Sequence, residues 1–148
     1  MTRPFRDCLT RDAAATRRLA ARFVRRLPPG SVVALHGDLG AGKTTFVQGM
    51  AAGLGIRQPV TSPTFALVSE YRGPLGRLVH MDLFRVRNPD EMLEIGLAEH
   101  LESGAIVAVE WPERAGEFLP AGAISIRLSL VPGRRGRHIR IFETQHKI

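Results

Sequence analysis

The chain has 148 residues, 44% hydrophobic and 24% charged, which suits one soluble globular domain able to bury a core. No apolar run reaches the roughly 18 residues of a membrane span, "MTRPFRDCLTRD" lacks the apolar region of a secretory signal, and the lone Cys8 excludes an internal disulfide or a cysteine zinc site. A cytoplasmic protein is expected, and its net charge of +7, almost all arginine, favours an acidic partner such as RNA as readily as it reflects residue usage.

Taken in chain order, Leu19, Ala20, Phe23, Val24 and Leu27 recur at helical spacing. Thr10 is the expected N-cap and "PPG" at 28–30 the stop. Arg18, Arg22, Arg25 and Arg26 occupy the other face, as a solvated surface or an RNA patch. "SVVALHG" then reads as a strand, followed by a glycine-rich loop and a helix over "KTTFVQGMAAGLGI". "VTSPTFALVSEY" is a loop leading to a strand whose apolar alternation begins at Phe65, and "RGPLG" turns it into "RLVHMDLF". The stretch "NPDEMLEIGLAEHLESG" predicts one helix, capped by Asn88, with Pro89 at its first position and Gly104 at its end. "AIVAVEW" has the continuous apolar character of a strand buried on both faces, whereas "AISIRLSL" and "HIRIFET" alternate and are joined by "VPGRRGR". No repeat or linker interrupts the chain, so a single α/β domain over residues 1–148 is expected.

Gly37, Gly42, Lys43 and Thr44 fit G-x-x-x-x-G-K-[ST] between the predicted strand and helix, the context that gives this pattern its meaning. Glycines let the backbone turn so that successive N–H groups face phosphate oxygens, and the helix N-terminus adds its positive end. Lys43 supplies a compact cation for the terminal phosphates, and the Thr44 hydroxyl is a hard ligand of the kind Mg²⁺ takes. Two carboxylates, Asp82 and Glu110, close apolar strands where an unpaired charge is costly, and either fits the Walker B role. Between P-loop and Asp82 lies "TSPT", whose Thr61 and Thr64 are candidates for a loop that responds to the γ-phosphate or for a plain turn. Trp111 follows Glu110 and packs either beside the site or in the core. No [NT]-K-x-D guanine element occurs and the histidines lack zinc spacing, which argues against an ordinary GTPase and a zinc enzyme. A small-molecule kinase remains the alternative, with "RNPDEMLEIGLAEHL" as a reduced lid. An RNA-binding module, using the first helix with Arg134, Arg135 and Arg137, is a third reading.

"GDLGAGKTTF", "TSPTFALVSEY", "HMDLFR", "EIGLAEHL" and "VEWPER", in this order and at these separations, resemble the TsaE (YjeE) family of bacterial ATPases from about Leu9 to at least Pro120. The resemblance implies a P-loop NTPase-type three-layer fold, with a mixed sheet of parallel core and flanking antiparallel strands. It further implies ATP and Mg²⁺ as cofactors and a cytoplasmic role in forming threonylcarbamoyladenosine (t6A) in tRNA. The family acts as a hydrolytic switch on the TsaB–TsaD heterodimer, so tRNA would be met indirectly or weakly, with no membrane or DNA involved. Position by position, Gly37, Asp38, Leu39, Gly40, Ala41, Gly42, Lys43, Thr44 and Thr45 would hold the phosphates, and Thr44 and Glu110 the metal. Lys43, Asp82 and Glu110 would be catalytic, with Asp82 orienting water, and Thr64 would belong to the switch loop. Further nucleotide contacts would come from Thr10 and from the late Gly-Arg turn, at Arg134 or Arg137.

Overall fold

The computed structural model describes residues 6–63 and 66–143. The chain runs β1 (Arg6–Thr10), α1 (Ala13–Val24), β2 (Val32–His36), α2 (Lys43–Gly53), β3 (Val68–Gly73), β4 (Gly76–Asp82), α3 (Glu91–Glu94), α4 (Leu97–Glu102), β5 (Ile106–Glu110), a 3-10 segment over Pro112–Phe118, β6 (Ile124–Leu130) and β7 (Arg137–Phe142). The strands form one sheet in the order β1-β7-β6-β2-β5-β4-β3. β6, β2, β5 and β4 are mutually parallel, while β3 pairs antiparallel with β4, β7 with β6, and β1 with β7. This is the expected mixed sheet with a parallel core and antiparallel flanks.

Side chains alternate across a strand, and the core divides accordingly. Val33, Leu35, Leu78, Ile106, Ala108, Ile126 and Ile139 face one side with Phe23, Phe46 and Met50 of α1 and α2. Val32, Ala34, Val79, Met81, Val107 and Val109 face the other with Met92 and Leu97 of α3 and α4. α2 carries apolar residues on most of its circumference because it is sandwiched between α1 and the sheet. Its contact with α1 is backbone-close: a Cβ on Gly49 would stand 2.4 Å from the Arg17 carbonyl oxygen. Beside this contact the Phe23 and Phe46 rings meet edge-on, 5.7 Å apart.

Three expectations change. Thr10 does not cap α1; Asp12 does, accepting from the Ala15 amide at 2.8 Å. Thr10 instead closes the edge strand β1, buried, with its hydroxyl 2.7 Å from that of Thr16. The single helix expected with Asn88 as cap and Pro89 at its first position is two and starts later, at Glu91 behind Asp90; Gly96 takes a left-handed φ of 71° between α3 and α4, and the amides of Arg87 and Asn88 are held by the Glu91 carboxylate. The strand expected from Phe65 begins at Val68, and Phe65 itself lies outside the described residues. No helix among the described residues is long and apolar enough to cross a membrane.

Candidate functional site

The loop between β2 and α2 opens onto a cavity of about 420 Å³ at the C-terminal ends of β4 and β5, where open α/β sheets present their ligand crevices. Gly37 is required by close approach, since a Cβ there would lie 2.7 Å from the Leu128 carbonyl oxygen. Gly42 is required by conformation, with φ 103° immediately before α2. The first-turn amides of α2 have no intrahelical acceptors and carry the positive end of the helix toward the cavity.

Lys43 is buried and returns its ammonium to the Gly37 carbonyl, while the same Nζ lies 3.6 Å from the centroid of the Trp111 ring. Burial lowers the Lys43 pKa, opposed by the surrounding carboxylates of Glu110, Glu113, Asp82 and Asp38. An incoming anion would restore to this ammonium the charge compensation that burial removes. Trp111 is held at φ 55°, ψ 51°, left-handed backbone that a bulky residue rarely adopts. That turn puts its ring between Lys43 and Phe84, whose ring lies 5.0 Å away.

The two carboxylates are neighbours in the sheet, Asp82 pairing with Glu110 across β4 and β5. Thr44 donates its hydroxyl to the Glu110 carboxylate, with its oxygen 3.0 and 3.2 Å from the two acceptors. His80 holds Glu110 from behind: its Nε2 lies 2.5 Å from Oε2, and the imidazole is fully buried. The hydrogen bond faces a carboxylate, so Nε2 carries the proton, and Nδ1 is buried with no partner among the described residues. A polar ring whose only bond is to Glu110 is explained by fixing that carboxylate. Asp82 accepts from the Ser62 hydroxyl and, at 3.1 Å, from the Phe84 amide.

Of the residues expected here, Leu39, Gly40, Gly42, Lys43, Thr44, Thr45, Asp82 and Glu110 line the cavity. Gly37, Asp38 and Ala41 shape the loop from its other side, where they border a second hollow with His36 and Arg127. Thr64 lies outside the described residues, Thr61 is exposed, and it is Ser62 that reaches Asp82. Thr10 and Arg134 are not among the lining residues; Arg134 stands exposed on the β6–β7 turn. Arg137 lines the cavity instead and braces the loop, donating to the carbonyls of Ala41 at 3.0 Å and Gly40 at 3.2 Å. No residue of 87–101, the segment considered as a lid, borders the cavity. Met92 and Leu97 from that segment are buried in the core on the far side of the sheet.

His80 escaped the sequence reading, although one signal was present: in a strand it shares the face of Asp82 two residues on.

The family model for "Threonylcarbamoyl adenosine biosynthesis protein TsaE" matches residues 10–139, nearly the whole of the described chain. The chain belongs to the TsaE family. Among curated relatives, it is 41% identical over 124 residues to the tRNA threonylcarbamoyladenosine biosynthesis protein TsaE of Treponema pallidum, covering 84% of this chain and 91% of that one. It is 42% identical over 115 residues to the protein of the same name from Bacillus subtilis, covering 78% and 70%. A crystal structure of Bacillus subtilis YdiB superposes with a TM-score of 0.83 at 32% identity, covering 98% of this chain and 88% of that one. The family match spans every element that shapes the cavity, from the end of β1 into β7.

Proposed function

We propose that this TsaE-family chain is a Mg²⁺-dependent ATPase of P-loop NTPase fold that serves t6A modification of cytoplasmic tRNA as a nucleotide-driven switch on the TsaB–TsaD heterodimer. The observation that carries the reading is the Thr44 hydroxyl and Glu110 carboxylate meeting at 3.0 Å, at the head of a helix that opens from a glycine loop. Two hard oxygens from different elements converge beside orphan amides and a buried ammonium, a donor set of the kind Mg²⁺ takes. Thr44 and Glu110 would hold the ion, which when bound neutralises charge developing on the transferred phosphoryl group.

The chain's own groups do the remaining work. The loop from Gly37 to Thr45 binds the phosphates through its amides, and Lys43 places a cation among them. Trp111 walls one side of Lys43 and limits water there. Asp82, with its oxygens oriented by Ser62 and the Phe84 amide, is set to hold the attacking water. Ser62 belongs to the "TSPT" segment, so a change in the occupancy of the cavity is transmitted to that loop through Asp82, and a partner surface can read it.

Phosphate release measured for the chain alone and with added TsaB–TsaD tests the reading. Stimulation by the heterodimer is expected, and an unchanged rate would remove the switch role. Lys43→Ala should abolish turnover. Glu110→Ala should lower Mg²⁺-dependent hydrolysis by about 100-fold or more while ATP still binds, a loss on the scale of the several kcal/mol a metal supplies. Equal loss of binding and turnover would make Glu110 structural. A phosphorylated small-molecule acceptor in place of free phosphate would favour the kinase reading.

A further inference from the structure

Charge is unevenly placed along the chain. Residues 6–27 and 124–143, which build β1, α1, β6 and β7, hold twelve arginines against Asp7, Asp12 and Glu143. Residues 68–118 reverse the balance, with five arginines and ten carboxylates. Within the basic part, the sheet face turned away from α1 and α2 has no element packed on it among the described residues, and only at its β2 side do Trp111 and Glu113 border a hollow shared with Arg127. Ile126, Leu128, Ile139 and Ile141 point inward and are buried, whereas Asp7, Leu9, Arg127 and Ser129 on the outer face are exposed and His138 and Arg140 half-buried. The core on that side draws nothing from β1, β6 or β7.

A cationic row crosses this bare face. Arg140 on β7 lies directly opposite Arg127 on β6, and Arg127 is in register with His36 on β2. Directly opposed side chains stand about 5 Å apart at Cβ, and like charges so placed destabilise a sheet. The one carboxylate in the row, Asp7 on β1 opposite Arg140, is already bonded to His138. The Arg140 Nε is buried with no hydrogen-bond partner among the described residues. Folding therefore gains nothing from this pair that a threonine pair would not supply better. A polyanion would convert the repulsion into attraction, because each guanidinium fork matches a phosphate.

We propose that the outer face of β1-β7-β6, centred on Arg127 and Arg140, is a docking surface for the phosphate backbone of tRNA, contacted directly by this chain. RNA fits better than an acidic protein because the surplus charge is arginine throughout and continues around the β1 edge through Arg6 and Arg11. A sequence-independent backbone contact needs that extended character. The surface is separate from the nucleotide cavity, since neither Arg127 nor Arg140 lines it. The inference does not depend on the ATPase reading.

The test is fluorescence anisotropy of labelled, unmodified tRNA transcript with the full chain, without nucleotide or partner, across a salt series. Wild type should bind with steep salt dependence. Arg127→Gln/Arg140→Gln should weaken binding about tenfold at low salt and reduce the slope of log K against log salt by about 1.5, for two lost phosphate contacts. Arg18→Gln/Arg22→Gln, on the opposite side of the sheet, should bind within twofold of wild type. Lys43→Ala should also bind as wild type does, so failure of the ATPase reading would leave this result standing. The Arg127/Arg140 variant should melt at or above the wild-type temperature; a lower value would show that the pair serves the fold and overturn the proposal. Unchanged tRNA binding, or equal loss in the α1 variant, would also overturn it. So would intact tRNA binding combined with lost capture of TsaB–TsaD, which would assign the face to a protein.

Discussion

The sheet has two halves built on different terms. In β2, β5 and the middle of β4 nearly every residue is buried, because helices or the 3-10 segment cover both faces, and such strands read as continuous apolar runs. In β6 and β7 burial alternates, and one face is bare. Every carboxylate and hydroxyl that meets another across the cavity, namely Thr44, Ser62, Asp82 and Glu110, is attached to the doubly covered half or to α2 and the loop beside it. The open half contributes arginines. Double cover excludes water and holds groups at fixed distances, which the phosphoryl chemistry proposed above would need, whereas an open face suits a broad and less exacting contact.

The largest expected effect tests whether the doubly covered half is the rigid one. Phe46, on the helix α2 that follows the glycine loop, is fully buried against Phe23. Phe46→Ala should cost about 3–5 kcal/mol, read as a fall in denaturant midpoint at unchanged slope. Ser129→Ala, on the bare face, should stay within about 0.5 kcal/mol. Similar losses at both positions would dissolve the distinction between the halves.

A smaller effect asks what the buried polar group of that half is for. His80→Leu removes the bond to Glu110 and leaves the Thr44 contact in place. Loss of a partner that orients a metal ligand typically costs about 10–100-fold in metal affinity. The Mg²⁺ concentration giving half-maximal hydrolysis should rise by about that factor, while nucleotide affinity in the absence of metal stays within a few fold. His80→Gln, which can present an amide N–H to the carboxylate, should recover much of the difference. Equal damage to metal-free nucleotide binding would mean that His80 supports only the fold.

Much of this contrast was legible from residue order, and the exceptions have physical causes. The glycine loop between β2 and α2, the strand-closing carboxylates and the alternation of β6 and β7 follow from local pattern, because a strand buried on both faces and a strand buried on one have different periodicities. β1 escaped because "RDCLT" is an edge strand whose pairing with β7 is a backbone matter, with Cys8 its one hydrophobic side chain packed, and only partly, against the core. The break at Gly96 was masked by apolar spacing that runs through it. Trp111 could be placed either at the site or in the core, and the structure gives it both, facing Lys43 while packing partly against the core; the left-handed backbone that allows this leaves no trace in composition. Thr10 was the expected cap, although Asp12 two residues on is also a capping residue type, and Arg134 and Arg137 were interchangeable candidates. Only the register of β1, β7 and β6 brings Arg137 to the loop carbonyls and turns Arg134 to solvent.

The smallest effect lies at the seam, where His36 ends β2 beside Arg127. Burial lowers the His36 pKa from its ordinary 6.5, the Arg127 guanidinium lowers it further, and Glu113, 3.9 Å away, opposes both. With the folded value depressed, the unfolded chain binds more protons in the window just below pH 6.5, so stability falls as pH drops through that window and levels off below the folded pKa. Arg127→Gln should raise the His36 pKa measured by NMR of the imidazole ring and narrow the window of acid loss; Glu113→Gln should lower it and widen the window. An unchanged His36 titration in Arg127→Gln would show that the guanidinium lies in solvent rather than against the seam. The bare face would then end at β6 and stop short of the covered half.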